Sequence, residues 1–298
     1  DRFGRSGATL AVEEPCQEVV RGESQFQVVT SRRTLTAKTV IVTTGGQSFP
    51  GSGTTGDGYR FATSLGHSLI PPRPALVPLT THAAWVLELR GLTLPDVTVS
   101  VVENGKRLAQ RRSSLLFAHF GLTGPAALDV SRVVSGHAEP SRLVAEIDLL
   151  PDRNEEQLLE EWRKELADAG KKTLGNLLAR WLPQRIADNV LREAQVPLER
   201  RAAEHGKEER QRLVRTIKRL PIPLSGTLGF KKAEVTAGGV PLDEVDSRTM
   251  QSKRVANLYF AGEVLDLDGP IGGYNFQAAW STGWLAGTSA AKSAATTT

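Results

Sequence analysis

Sulfur is nearly absent from this chain: 298 residues contain one cysteine, Cys16, and one methionine, Met250. A single thiol excludes an internal disulfide, a Cys-x-x-Cys redox pair and a thiolate zinc site. No apolar run approaches the ~20 residues that a membrane-spanning helix needs, and no basic stretch followed by an apolar one opens the chain. No membrane association is expected, and the default location is cytoplasmic. A strong charge of one sign is missing too. Lys and Arg number 37 against 33 Asp and Glu, a formal charge of +4, too small an excess to argue for nucleic acid. There is no internal repeat, and the only low-complexity stretch is the Ala/Ser/Thr tail after Ala290. An initiator methionine is also missing, so the chain reads as a fragment or a processed product.

What remains is a globular composition, 40% hydrophobic and 23% charged, at a length compatible with two domains. From Glu18 to Thr43, short β-rich runs alternate with Gly22-Glu23-Ser24 and Ser31-Arg32-Arg33, which reads as a small meander. The run Thr39 to Thr43 predicts a strand covered on both faces. A helix should follow from about Gly58 to Gly66. Between Ala75 and Asp148 the pattern is again β, with Asn104-Gly105 as a hairpin signal. From Asn154 to Arg219 the period turns helical: Leu158, Leu159, Trp162 and Leu166 form one stripe, with Asn154 as N-cap and Gln157 three residues on.

The stretch Ala261 to Gly283, AGEVLDLDGPIGGYNFQAAWSTG, carries the most chemistry. Leu258 to Ala261 supply a short buried strand. Gly262 ends it, Gly269, Gly272 and Gly273 permit tight turns, and a helix opens near Asn275. A helix start directly after glycines presents unpaired N–H groups and a positive dipole end, which suits a phosphate or the electron-rich edge of a flavin. The spacing alone fits an ordinary strand-to-helix turn equally well. Gly51, Gly53 and Gly56 match G-x-G-x-x-G, but no acid lies between Gly58 and Leu87 to bind a ribose. This is not read as a dinucleotide fingerprint.

Four segments in order resemble the BaiN/YhiN-type FAD-dependent oxidoreductases: TVIVTTGGQSFPGSGTTGDGY at 39–59, LLFAHFGLTGPAALDVS at 115–131, VTAGGV at 235–240, and AGEVLD followed by GGYNFQAAWSTG. The resemblance implies an α/β fold: a Rossmann-like FAD/NAD(P)-binding domain, incomplete at its N-terminus, interrupted by an insert of a β-barrel plus a helical subdomain. The expected ranges are 1–74 and 244–298 for the FAD domain and 75–243 for the insert, with barrel at 75–150 and 226–243 and helices at 151–225. It also implies FAD as cofactor, a reduced nicotinamide, NAD(P)H, as reductant, and a small-molecule substrate such as an enone. The family's pyrophosphate-binding fingerprint would lie upstream, so weak FAD retention by this chain alone is expected.

Carried over residue by residue, Thr44, Gly45 and Gly46 would bring backbone near the FAD. Gly262 and Glu263 would serve the ribityl region, and Gly272, Gly273, Tyr274, Asn275, Phe276 and Gln277 would lie at the ring. Asp266 and Asp268 read as loop-shaping residues, and no metal site is expected. His119, between Phe117 and Phe120, reads either as a satisfied core histidine or as a proton donor to substrate. Eight Lys and Arg against four Glu between Glu199 and Arg219 read as a solvated helix face. Nucleic acid is not expected as a partner. The rival class is a non-catalytic flavin- or RNA-associated binding module that uses this basic helical region.

Overall fold

The computed structural model describes residues 3–296 and divides into two compact units, one drawn from 1–72 and 235–298, the other from 73–234. The chain leaves the first unit once and returns to it. In the first unit, β1 (Cys16–Arg21), β2 (Phe26–Thr30) and β3 (Thr34–Ala37) form an antiparallel sheet in that order, the expected meander. Then come β4 (Val40–Val42) and α1 (Asp57–Ser64). Gly66 follows α1 at φ +90°, where glycine is unstrained. The strand is less covered than its β-branched run predicts: Val42 is buried, but Ile41 is 37% exposed. Among the described residues β4 pairs on one edge only, so it is not covered as a central strand would be.

β5 (Ile70–Ala75) runs across the division of the chain. Within the second unit lie β6 (Leu79–Thr80), α2 (Ala84–Glu88), β7 (Thr93–Glu103), β8 (Lys106–Ala118), β9 (Gly121–Thr123), α3 (Pro125–Ser135) and β10 (Val144–Asp148). The helical part follows: α4 (Glu155–Ala167), α5 (Leu174–Leu178), α6 (Gln184–Glu193) and α7 (Lys207–Lys218), then β11 (Leu220–Pro223) and β12 (Gly226–Thr227). The strands build an antiparallel sheet in the order β11-β10-β7-β8-β9-β6-β12. Asn104 and Gly105 make the β7–β8 turn at φ +49° and +77°, both in the left-handed region that a two-residue hairpin demands. Asn154 caps α4: its side chain accepts from the Gln157 amide at 2.8 Å, and the Asn154 amide donates to Gln157 Oε1 at 3.0 Å. Trp162 is fully buried, edge-on to Trp181 at 5.2 Å, and both belong to the helical core.

The first unit resumes with β13 (Val235–Gly239), β14 (Leu258–Phe260) and α8 (Tyr274–Thr296). The insert therefore ends after Glu234 and not at 243. The reason is local bonding. The Val240 amide donates to Val264 O and the Asp266 amide returns to Val240 O, both at 2.9 Å, which ties this segment to the one after β14. β14 pairs parallel with β4, Leu258 to Val40 through Phe260 to Val42.

The first unit also contains a buried polar knot. His67 is buried, with Nδ1 2.7 Å from Glu244 Oε2 and Nε2 2.8 Å from Ser252 Oγ. Ser252 Oγ already accepts from the amides of Val255 at 2.8 Å and Arg254 at 3.0 Å, so its proton must go to His67 Nε2. His67 Nδ1–H then donates to Glu244, which fixes the neutral imidazole. Burial holds the His67 pKa below its ordinary value despite the neighbouring carboxylate. Burial would raise Glu244, but hydrogen bonds from Ser68 and His67 hold it below the usual carboxylate value. His205 of the second unit is likewise lowered by burial.

An unfolded histidine titrates near ~6.5, so just below that pH the unfolded chain binds protons that the folded one refuses. Stability should therefore fall as pH drops from about 7 through the imidazole range, and again as Glu244 protonates at lower pH. Urea unfolding across that range should show the slope, and His67→Gln should flatten it, leaving the part due to His205. A slope unchanged by His67→Gln would contradict this reading.

Candidate cofactor site

Because β4 and β14 run parallel, the segments that leave their C-terminal ends emerge on the same side, the side on which open α/β sheets bind ligands. Three segments meet there: 44–48 after β4, 235–240 at β13, and 261–266 after β14. Gly45 takes φ +74° and Gly262 φ +76°. A Cβ built on Gly46 would overlap both Glu263 Oε1 and Thr236 Oγ1, so the Gly46 backbone lies against the carboxyl with no room for a side chain. A Cβ on Gly58, in α1, would overlap Thr44 Oγ1 in the same way.

Thr236 joins the three segments. Its hydroxyl accepts from the Gln47 amide at 2.8 Å and the Ser48 amide at 3.0 Å and lies 2.9 Å from Ser48 Oγ. Its own amide donates to Glu263 Oε1 at 3.0 Å. Two residues on, the Gly238 amide donates to Asp266 Oδ1 at 3.0 Å. Asp266 thus shapes the loop. Burial pushes the Glu263 carboxyl above its ordinary pKa, Thr236 pulls it partly back, and Asp268 pushes it up again. The Tyr59 hydroxyl lies 3.5 Å from Glu263 O, and burial together with the nearby carboxylates of Glu263 and Asp266 raises its pKa strongly.

The Gly262 amide donates to Thr282 Oγ1 at 2.9 Å, which fastens the end of β14 to α8. Before that helix, the Gly269 amide donates to Asn275 Oδ1 at 2.8 Å and Asn275 Nδ2 donates back to Gly269 O at 2.9 Å. The Asn275 side chain is thereby engaged with the loop. Gly272 and Gly273 take φ +128° and +87°, and a Cβ at Gly273 would meet nothing within 4 Å. The space in front of the helix start is open. Tyr274, Phe276 and Gln277 are exposed; Phe276 stacks on Trp280 at 6.1 Å, and Gln277 Nε2 donates to Ser281 Oγ at 2.9 Å.

The structure thus brings Thr44, Gly45, Gly46, Gly262 and Glu263 together, with Gly272–Gln277 as the separate start of α8. His119 belongs to the second unit. It is exposed at the turn between β8 and β9, edge-on to Phe120 at 4.9 Å, while Phe117 is fully buried. Sequence reasoning missed Gln47, Ser48, Gly58 and Thr236. The one signal for Thr236 was a polar residue inside an otherwise apolar buried strand. Among the described residues no group of three His, Cys, Asp or Glu is placed to hold a metal, and no helix is long and apolar enough to cross a membrane.

These elements define a Rossmann-like unit in which glycine backbone packs against a half-buried carboxyl at the ends of two parallel strands. The family described as HI0933-like protein Rossmann domain matches residues 1–289, and the chain belongs to it, the BaiN/YhiN-type flavoproteins. Among relatives, the chain is 35% identical over 287 residues to a ribosomal RNA dihydrouridine synthase of Escherichia coli K12, with 95% of this chain and 68% of the relative covered. It is 39% identical over 249 residues to the Haemophilus influenzae protein of the same description, with 83% and 59% covered. A 3-dehydro-bile acid delta(4,6)-reductase of Clostridium scindens is 31% identical over 257 residues, with 86% and 63% covered. The chain thus spans about two thirds of the first relative's length and about three fifths of the other two. These findings overturn the expectation that nucleic acid is no partner: two of the relatives are described by an RNA substrate. A net charge is a chain-wide sum, and it does not report on local recognition of one nucleotide.

Gly46→Ala should force Glu263 and Thr236 apart. Overpacking of this kind costs on the order of 1–3 kcal/mol. Gly51→Ala, where a Cβ meets nothing within 4 Å, should be nearly neutral in the same denaturant titration. Equal stabilities for the two variants would remove the argument for a tight cradle.

Proposed function

We propose that this chain is the cofactor-holding part of an FAD-dependent oxidoreductase that reduces a carbon–carbon double bond conjugated to a carbonyl, with NAD(P)H as reductant. The observation that carries the reading is the cradle of Gly46, Thr236 and Glu263 at the ends of two paired parallel strands, with an open helix start following in the same unit. The residues fit FAD. Backbone at Gly45 and Gly46 permits close approach, and the Glu263 carboxyl can accept from a ribityl hydroxyl, which orients the cofactor without pairing charge. The first amides of α8 and its dipole favour an electron-rich ring edge. When bound, FAD supplies hydride transfer through its ring, and the protein supplies position and electrostatics.

The substrate class follows from what the relatives share. The 5,6-double bond of uridine is conjugated to its 4-carbonyl, and the double bonds of a 3-oxo-delta(4,6) steroid are conjugated in the same sense. Hydride adds at the far carbon of such a system and a proton at the near one. The first reading is a uridine in ribosomal RNA, as in the relatives at 35% and 39% identity; the second is a small enone, as in the relative at 31%. A local feature supports RNA: exposed Lys171 and Lys172 directly precede Thr173, whose backbone bridges to that of exposed Arg201. His119 is proposed to supply the proton, its exposed ring being free of the packing that holds a core histidine.

The test incubates the chain with FAD, NAD(P)H and either unmodified ribosomal RNA or a steroid dienone. Nicotinamide oxidation and a two-hydrogen mass gain are followed. Gain on RNA alone supports the first reading, and gain on the steroid alone replaces it with the second. Weak flavin binding is expected of this chain alone, so FAD is supplied in large excess. No flavin binding and no turnover on either substrate at saturating FAD would overturn the oxidoreductase reading for this chain. His119→Ala should slow substrate reduction by about 10²–10⁴-fold while leaving nicotinamide oxidation by the bound flavin nearly intact; equal substrate rates would remove its role.

A further inference from the structure

We infer that Thr236 is the positioning residue of the cradle: its hydroxyl holds the Gln47 and Ser48 amides just after Gly45–Gly46, and its amide holds the Glu263 carboxyl, in the one relation that lets both segments face FAD. The inference deepens the flavin reading above and rests on it.

The hydroxyl has two acceptor lone pairs and one proton. The Gln47 and Ser48 amides, at 2.8 and 3.0 Å, take the lone pairs, and Ser48 Oγ at 2.9 Å is in place to take the proton. Thr236 is fully buried and Ser48 is 6% exposed. Water therefore has no easy way to replace the hydroxyl, and its loss leaves two inward-facing amides without their acceptor. The other side of the residue acts through the backbone, where its amide donates to Glu263 Oε1 at 3.0 Å. Gly46 lies beside both, where an added Cβ would overlap Thr236 Oγ1 and Glu263 Oε1 alike. One residue thus sets the spacing between the peptide that approaches the cofactor and the carboxyl that orients it. It does so across 188 residues of sequence on one side and 27 on the other.

Threonine and valine have nearly the same shape, so Thr236→Val deletes the acceptor without opening a cavity and keeps the amide bond to Glu263. Thr236→Ser keeps the hydroxyl and removes a methyl. Two readouts separate the brace from the cofactor: hydrogen exchange at the Gln47 and Ser48 amides in the ligand-free chain, and FAD affinity by quenching of flavin fluorescence. Thr236→Val should speed exchange at those two amides at least about tenfold while Leu258–Phe260 stays protected, and should weaken FAD binding by about tenfold or more. Thr236→Ser should stay close to the parent on both.

Unchanged exchange in Thr236→Val overturns the brace. Faster exchange with unchanged FAD affinity overturns its role toward the cofactor, and Thr236→Ser behaving like Thr236→Val shows that packing, not the hydroxyl, matters. Should Thr236→Val fail to fold, Thr236→Cys, a weak acceptor of similar size, is read by the same criteria. If the parent chain binds no FAD even at saturating excess, the flavin reading fails for this chain and the cofactor role with it, while the exchange result still decides the brace.

Discussion

The parallel pairing of Val40–Val42 with Leu258–Phe260 is the constraint on which the first unit depends. It is short, and its partners are separated by the whole of the second unit. Loop closure over such a distance costs entropy that three residue pairs of a two-stranded ladder do not repay alone. The repayment comes from what the pairing brings together. Phe260, Tyr259 and Leu258 are fully buried or nearly so beside Phe61, Ala62 and Val264. The same register aligns the exits of both strands, so that the glycine backbone after β4 meets the carboxyl after β14. A shift by one residue would turn every side chain of β14 to the opposite face and separate Gly46 from Glu263.

Much of this was legible in the sequence. The helices of the second unit follow apolar stripes at helical spacing, and the capping pair Asn154 and Gln157 fell where the pattern placed it. The Asn104-Gly105 hairpin and the strand-glycine-helix run at 258–283 were equally plain. Such elements are fixed by local propensity, and local propensity is what a sequence displays. The exposure of Ile41 was not legible, because a short β-branched run looks the same at the edge of a sheet as in its centre. Nor was the end of the insert, because the bonds of β13 to the 263–266 segment are made at long range.

The candidate site divides along the same line. The glycines of the 262–273 run announced themselves by the turn geometry they permit, whereas Thr44, Gly45, Gly46 and Glu263 came only from the resemblance to the flavoprotein family. Thr236, Ser48 and Gln47 did not announce themselves, since a threonine in a strand ordinarily signals only β-propensity. Their role lies in pairing between distant segments. Both buried polar groups of the first unit, the Thr236 brace and the His67 knot, join parts of the chain more than 170 residues apart. In each, the donors and acceptors described are matched closely enough to fix a tautomer or the direction of a proton. Matched buried networks specify one arrangement; half-matched ones cost stability. The interrupted chain thus uses polar bonds at the points where its two returning segments must find a single register.

The cradle itself is indifferent to substrate. Nothing in Gly46, Thr236 or Glu263 distinguishes a nucleobase from a steroid, and conjugate reduction asks the same of the cofactor in both cases. Discrimination must come from side chains that meet the substrate beyond the cofactor. A uridine in RNA brings phosphates and a ribose, which call for cations and hydrogen-bond donors; a steroid brings an apolar skeleton, which calls for the reverse. Lys171, Lys172 and Arg201 are exposed in the second unit and form no part of the cradle.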